Sequence, residues 1–251
     1  IHEYGLYDLP ASIDYALEAT NQTSLYFLGH SIGATALFIL CSLRPTYNSK
    51  VKLANALAPA AIISHQVSPF TQLLLSLLPP LMATLKSQGI WEVFPQRKVF
   101  SKLGEMLCND HAVTQSLCLN LMFSAVGTNY EQFNSSMFPT ALKYYPAGTS
   151  VDVVSHVYEI FSGQFKPLNI NSNESVYYNL SKVTVPVALH YGEGDALVTK
   201  KDNEILASKL GNAVGIFRVP HPRFNHIDFM WSTDSKILLY DYLITLMNKY
   251  K

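Results

Sequence analysis

The chain has 251 residues, with 18 basic and 18 acidic side chains and a formal net charge of zero. That balance leaves no electrostatic footprint for nucleic acid, and the length suffices for one α/β core, with or without an added cap. At 49% apolar, 12% aromatic and 14% charged residues, the composition suits a globular protein with apolar surface to cover or to offer to a substrate.

In chain order, Leu9, Ile13, Ala16 and Leu17 share one helical face with Pro10 in the first turn, so residues 8–20 are read as a helix. Leu25-Tyr26-Phe27-Leu28 is a short strand-like run, followed by Gly29-His30-Ser31-Ile32-Gly33 and an apolar helix over residues 34–43 that stops before Pro45. Residues 51–57 form a second strand. From about 60 to 165 the pattern changes to helical apolar segments broken by Pro and Gly, which is read as a mainly helical insertion. Its most apolar stretch, residues 73–85, is interrupted by Pro79-Pro80 and falls short of the ~20 residues that span a bilayer. Strands then return at 183–191 and 214–219, with helices at 201–210 and 238–250. Such alternation implies parallel strands covered by helices. The expected organisation is α/β: core over 1–59, a helical cap over 60–165, and core again over 166–251.

Gly29-His30-Ser31-Ile32-Gly33 matches Gly-x-Ser-x-Gly between a strand and a helix, the context in which that motif forms a strained nucleophile elbow. The turn would lift the Ser31 hydroxyl clear of the sheet, and small residues at 29 and 33 would let backbone pass close by. The Ile32 amide, at the helix N-terminus, is placed to hydrogen-bond an oxyanion. A serine alcohol needs a base, and the base needs an orienting acid. In this kind of fold the partners follow in the order Ser, acid, His. Asp195 ends the turn after the strand at 183–191, while its rival Asp202 reads as a helix-terminus residue. His221 and His226 both follow the last strand, and the loop around His226 gives its ring the better reach. His30 is read as a motif spacer.

Of three cysteines, Cys41 lies in an apolar run and reads as a buried thiol. Cys108 and Cys118 would stand about 15 Å apart on one straight helix, so they can pair only across a turn, which Asn109-Asp110-His111 could begin. A metal site on Cys108 and His111 finds no second ligand pair at zinc-type spacing; no metal and no cofactor is expected. Glycosylation sequons begin at Asn21, Asn134, Asn173 and Asn179, and four of them favour the secretory pathway. The chain opens on Ile1 with no signal peptide, which is read as a beginning lying upstream.

Several segments together carry a family resemblance. Residues 1–13, Ile-His-Glu-Tyr-Gly-Leu-Tyr-Asp-Leu-Pro-Ala-Ser-Ile, resemble the entry to the nucleophile half of the gastric-type and lysosomal acid lipases of animals. Gly29-His30-Ser31-Ile32-Gly33-Ala34-Thr35 is similar to their nucleophile elbow, and Tyr145-Pro146-Ala147-Gly148-Thr149-Ser150 to a segment near the end of their cap. Tyr191-Gly192-Glu193-Gly194-Asp195 resembles their acid turn, and Phe224-Asn225-His226-Ile227-Asp228-Phe229 their histidine loop. The resemblance implies the C-terminal half of an α/β-hydrolase sheet with a helical cap, and a Ser31–His226–Asp195 triad. It implies a Cys108–Cys118 disulfide near the lid, a secreted or lysosomal glycoprotein, and acylglycerols or sterol esters as substrates. The long apolar set of the cap, including Phe70, Leu73, Leu74, Leu77, Leu81, Trp91 and Phe94, would line an acyl tunnel or touch a lipid droplet or membrane surface.

The chain departs from the family by carrying Ile32 where Gln usually follows the nucleophile, and by opening after the family's first strands and the loop bearing the second oxyanion donor. A catalytically silent lipid-binding protein is the alternative from a different class, opposed by the retention of Ser31, Asp195 and His226. Losing one oxyanion donor costs roughly 10²- to 10³-fold in rate, and a bare edge strand invites mispairing. Residues 1–251 alone are therefore expected to be weakly stable and weakly active; strong ester turnover by that fragment would refute the expectation.

Overall fold

A computed structural model describes residues 1–65, 68–95, 102, 104, 106–110, 112–145, 147–168 and 177–251. Its sheet has four parallel strands in the order β1 (Leu25–His30), β2 (Val51–Leu57), β5 (Val187–Tyr191) and β6 (Ala213–Arg218). β5 is buried along its whole length, as expected where helices cover both faces of a parallel sheet. Among the described residues β1 pairs only with β2 and forms one edge; Leu28 on it is 47% exposed.

Helix α1 (Leu9–Thr20) follows a wide helical turn at Tyr4–Asp8, and α2 (Ile32–Leu43) descends from the serine turn. α2 is apolar all round because it is enclosed: one side joins the main core with Val51, Ala54 and Leu189, while Leu40 meets Ile13, Leu17 and Tyr47. Cys41 is buried on this helix, and burial pushes its thiol up to about 12, where it is an inert packing group. On the other face, Leu246 of the C-terminal helix packs against Leu53 and Ala188.

Between β2 and β5 the chain forms α3 (Pro69–Ser87), α4 (Gln115–Val126), a short α5 (Phe138–Leu142) and α6 (Val151–Phe161), with a small antiparallel pair, β3 (Glu92–Val93) and β4 (Thr149–Ser150). Met82 of α3 and Val151 of α6 share one small core. Phe123, Phe133, Phe138, Ile227 and Trp231 share another with Cys108, which is bonded to Cys118 across 5.9 Å between Cα atoms. Residues 109 and 110 leave the helical path between these cysteines, and α4 begins only at Gln115. His111 and Pro146 lie outside the described residues.

Three sequence expectations need adjustment. α3 runs through Pro79 and Pro80 without a break. The two missing N–H groups fall on an exposed stretch, where solvent can take the carbonyls they leave, and Ser76 and Thr84 bond the carbonyls of Leu73 and Pro80. The strand expected from Val183 begins only at Val187, because Pro186 offers no ladder donor and the amides of Thr184 and Val185 go to the Asn48 side chain. The last helix is not regular: a wide turn at Lys236–Tyr240 leads into Asp241–Met247 and a tight final turn. Among the described residues no helix is long and apolar enough to cross a membrane.

His190 sits in the middle of the sheet, buried, with Nε2 3.0 Å from Oδ1 of Asn55. Burial holds its pKa down to about 3. The unfolded chain therefore binds a proton at this residue, near pH 6.5, that the folded chain refuses, so stability is lost as pH falls from that point. At pH 4.5 this term is about 3 kcal/mol, worth roughly 8 °C. Melting curves at pH 7 and pH 4.5 should show a drop for the natural protein and a drop about 8 °C smaller for His190→Gln; equal drops would contradict the assignment.

Candidate active site

The parallel register brings the carboxyl ends of all the strands to one edge. His30 stands opposite Leu57, Leu57 opposite His190, and Tyr191 opposite Arg218. The ladder runs one residue beyond the strands, through Ser31 N–H to Leu57 O at 2.9 Å, Ala58 N–H to His190 O at 2.9 Å, and Val219 N–H to Tyr191 O at 3.0 Å. The serine turn, the acid turn and the histidine loop all leave from this edge.

Ser31 adopts φ 52° and ψ −115°, a conformation that costs a non-glycine residue energy and marks functional turns. Gly29 makes it possible: a Cβ there would lie 2.6 Å from the Phe27 ring and 2.7 Å from the Ala34 amide nitrogen. Gly33 differs from expectation, since a Cβ at that position would meet nothing within 4 Å; close backbone passage explains the first glycine of the motif and not the second. The Ile32 N–H heads α2, in the first turn where amides have no intrahelical partner, and so is free to face a developing negative charge.

The structure brings Ser31, His226 and Asp195 together. Ser31 Oγ lies 3.0 Å from His226 Nε2, and His226 Nδ1 lies 2.9 Å from Asp195 Oδ2. Asp195 is buried, and its other oxygen accepts the amides of Leu197 at 2.8 Å and Val198 at 2.9 Å. One oxygen thus fixes the carboxylate while the other is left for the imidazole, which can take the tautomer with Nδ1–H toward Asp195 and a basic Nε2 toward the hydroxyl.

The rival groups point elsewhere. Asp202 forms a capping box with Thr199 on α7 (Lys200–Lys209), and its Oδ1 accepts from Ser64 and His65; those bonds hold its carboxyl low against the burial that opposes them. His221 Nε2 stands 3.2 Å from Glu131 on the surface. Of the sequon asparagines, Asn21, Asn134 and Asn179 are exposed, and Asn173 lies outside the described residues. Among the described residues no cluster of three or more His, Cys, Asp or Glu side chains could hold a metal ion.

Several contributors escaped the sequence reading. His30 is more than a spacer: its Nε2–H donates to the His226 carbonyl at 2.9 Å. Burial, followed by the facing His226 ring, holds His30 down to about 4, so it is neutral at pH 7 and adds no charge beside the base. The end of α4 also reaches the site. Val126 O accepts from both Ala196 N–H and His226 N–H, each at 3.3 Å. Gly127 follows with φ +102°, where a Cβ would stand 1.9 Å from Gly194 O. No local signal marks these positions, because their partners lie far along the chain.

No family model matches the chain. It is 38% identical to Lipase 1 of Drosophila melanogaster, across 99% of this chain and 57% of that protein. It is 32% identical to the gastric triacylglycerol lipase of Bos taurus, across 98% of this chain and 63% of that one. It is 34% identical to the human lysosomal acid lipase/cholesteryl ester hydrolase, across 99% and 64% respectively. The chain spans about three-fifths of the length of these relatives. Among solved structures, a soluble variant of monoglyceride lipase from Saccharomyces cerevisiae superposes with TM-score 0.60 at 12% identity, covering 97% of this chain and 68% of that one. An esterase from Exiguobacterium antarcticum gives 0.51 at 13% identity, covering 95% and 72%. At such identities the likeness establishes the fold, that of the α/β-hydrolases.

Gly127→Ala would force the acid turn and the end of α4 apart. We expect the rate at which a fluorophosphonate labels the serine to fall about tenfold or more, the scale of a small misplacement of reacting groups. Labelling at the natural rate would show that the turn tolerates the displacement.

Proposed function

Because the chain belongs to the family of animal neutral and acid lipases, we propose that the whole protein carrying it is a carboxylic ester hydrolase, a lipase that cleaves acylglycerols or sterol esters with Ser31 as nucleophile. The observation that carries this reading is the unbroken relay from Ser31 Oγ to His226 at 3.0 Å and from His226 to Asp195 at 2.9 Å, seated on a strained turn at the strand edge.

The chemistry follows from that geometry. His226 Nε2 takes the Ser31 proton as Oγ bonds to the ester carbonyl carbon. The carbonyl oxygen becomes an oxyanion that the Ile32 N–H stabilises. Collapse of the tetrahedral intermediate breaks the bond to the leaving alkoxide, and the proton on Nε2 passes to it, releasing the alcohol. Water then repeats the sequence on the acyl-serine: His226 accepts its proton, the hydroxide oxygen bonds to the acyl carbon, and Ser31 leaves with the proton as the fatty acid departs. Asp195 holds the ring orientation throughout and stabilises the imidazolium.

The substrate class is supported by the exposed apolar side chains of the segment between β2 and β5. Leu73, Leu74, Leu77 and Leu81 on α3, with Trp91 and Phe94, are all between 43% and 64% exposed. On α3, Leu73, Leu77 and Leu81 recur every four residues and so share one side of the helix, and a lipid surface is a partner whose chemistry suits such exposed apolar side chains. A secreted or lysosomal setting is supported by the Cys108–Cys118 bond, which needs an oxidising compartment, and by the exposed sequon asparagines.

In the whole protein, Ser31→Ala should abolish fluorophosphonate labelling and cut hydrolysis of a long-chain triacylglycerol by about 10⁵-fold or more, while Asp195→Asn should cost roughly 10⁴-fold. Unlabelled natural protein that binds fatty esters without hydrolysing them would favour the lipid carrier instead.

A further inference from the structure

His226 does not sit in a free loop. It lies inside a four-residue box closed at both ends. Asn225 Oδ1 accepts the amides of Ile227 and Asp228, each at 3.0 Å, and Asp228 Oδ2 accepts the Asn225 amide at 2.8 Å. This is the reciprocal arrangement of a capping box, here opening the short α8 (Asp228–Trp231). Two further bonds fasten the box to the segment after α4: Asn225 Nδ2 to Gly127 O at 2.8 Å, and Asn129 Nδ2 to the same Asp228 Oδ2 at 2.7 Å.

Asp228 is 0% exposed, and its Oδ1 has no partner among the described residues. A capping residue on a four-residue helix at the surface would leave that carboxyl in water. Burying it costs stability unless every lone pair is met, and here one oxygen is unmet while the other is shared by two donors. Burial, the first of its causes, also raises its pKa. Local departures of this kind from good packing concentrate where function demands a fixed geometry. The geometry held here is that of the backbone on either side of His226.

We propose that Asp228 is a positioning residue of the site: through Oδ2 it joins the Asn225 amide to Asn129, fixing the backbone from which the His226 ring reaches both Ser31 and Asp195. The proposal rests on the hydrolase reading for its catalytic meaning, though the geometry it asserts can be tested without turnover. Asp228 touches neither the substrate nor the reacting atoms.

The test compares Asp228→Ala, Asp228→Asn and Asn129→Ala in the whole protein by ester kinetics and by proton NMR. The His226 Nδ1–H facing Asp195 should give a far-downfield resonance, assigned by its loss in His226→Gln. Asp228→Asn keeps an acceptor for both donors, so its kcat should stay within about threefold of natural, with the resonance retained. Asp228→Ala should lower kcat by roughly 10²-fold with KM within about twofold, and should broaden or remove the resonance. Asn129→Ala, which leaves the box and cuts one of its two ties, should lower kcat about tenfold. A folded Asp228→Ala protein with natural kcat and an intact resonance overturns the proposal. If that variant does not fold, an unchanged resonance in Asn129→Ala overturns it. Natural protein that shows the resonance but hydrolyses no ester refutes the hydrolase reading, and the variants' spectra then decide the positioning role by themselves.

Discussion

Everything at this site depends on the parallel ladder continuing one residue past the ends of its strands. The bonds from Ser31 to Leu57, Ala58 to His190 and Val219 to Tyr191 set three connections level along one edge. A single-residue slip of any strand would turn its side chains to the other face and carry its loop away from the other two. The exposed Lys52 on β2 and the bond between Asn55 of β2 and His190 of β5 oppose that slip, because it would bury the one and break the other.

On that frame the reactive groups are held by backbone more than by side chains. The serine is lifted by its own dihedral angles, the carboxylate is pinned by two amides, and the imidazole is fixed at both peptide groups, its N–H by Val126 and its C=O by His30. Backbone partners cannot swing among rotamers, so the geometry linking Ser31, His226 and Asp195 is largely preformed. Such preorganisation spares reorganisation during the reaction. Neutral His30 has the same logic: its bond is made without placing a second cation beside the base.

How much of this could be read from the residues follows from the range of the forces involved. β1, β2, α2 and the serine turn were legible because each is specified locally, by an apolar run, a glycine without room for a Cβ, and a helix that ends at a proline. The meeting of Ser31, Asp195 and His226 was legible from chain order, loop position and family likeness. The path of α3 through Pro79-Pro80 was not, since proline's cost depends on whether the orphaned carbonyls face solvent, and that is settled by the fold. The late start of β5 was hidden for a related reason, its upstream amides being taken by Asn48, well over a hundred residues earlier. The roles of Val126, Gly127 and Asn129 belong to the same class. Asn225-x-x-Asp228 did carry a signal, the spacing of a capping box, which the histidine between them obscured.

The Val126 carbonyl has an implication for the modular history and engineering of such enzymes. Insertions between core strands are usually treated as exchangeable lids that tune what enters a constant scaffold. Here one atom of the segment between β2 and β5 accepts from the loop of Asp195 and the loop of His226 at once. A chimera that exchanged the whole segment between β2 and β5 would therefore leave both loops unsupported. The exchangeable part of that segment excludes residues 126–129, which belong with the strand-edge loops although the chain order places them elsewhere.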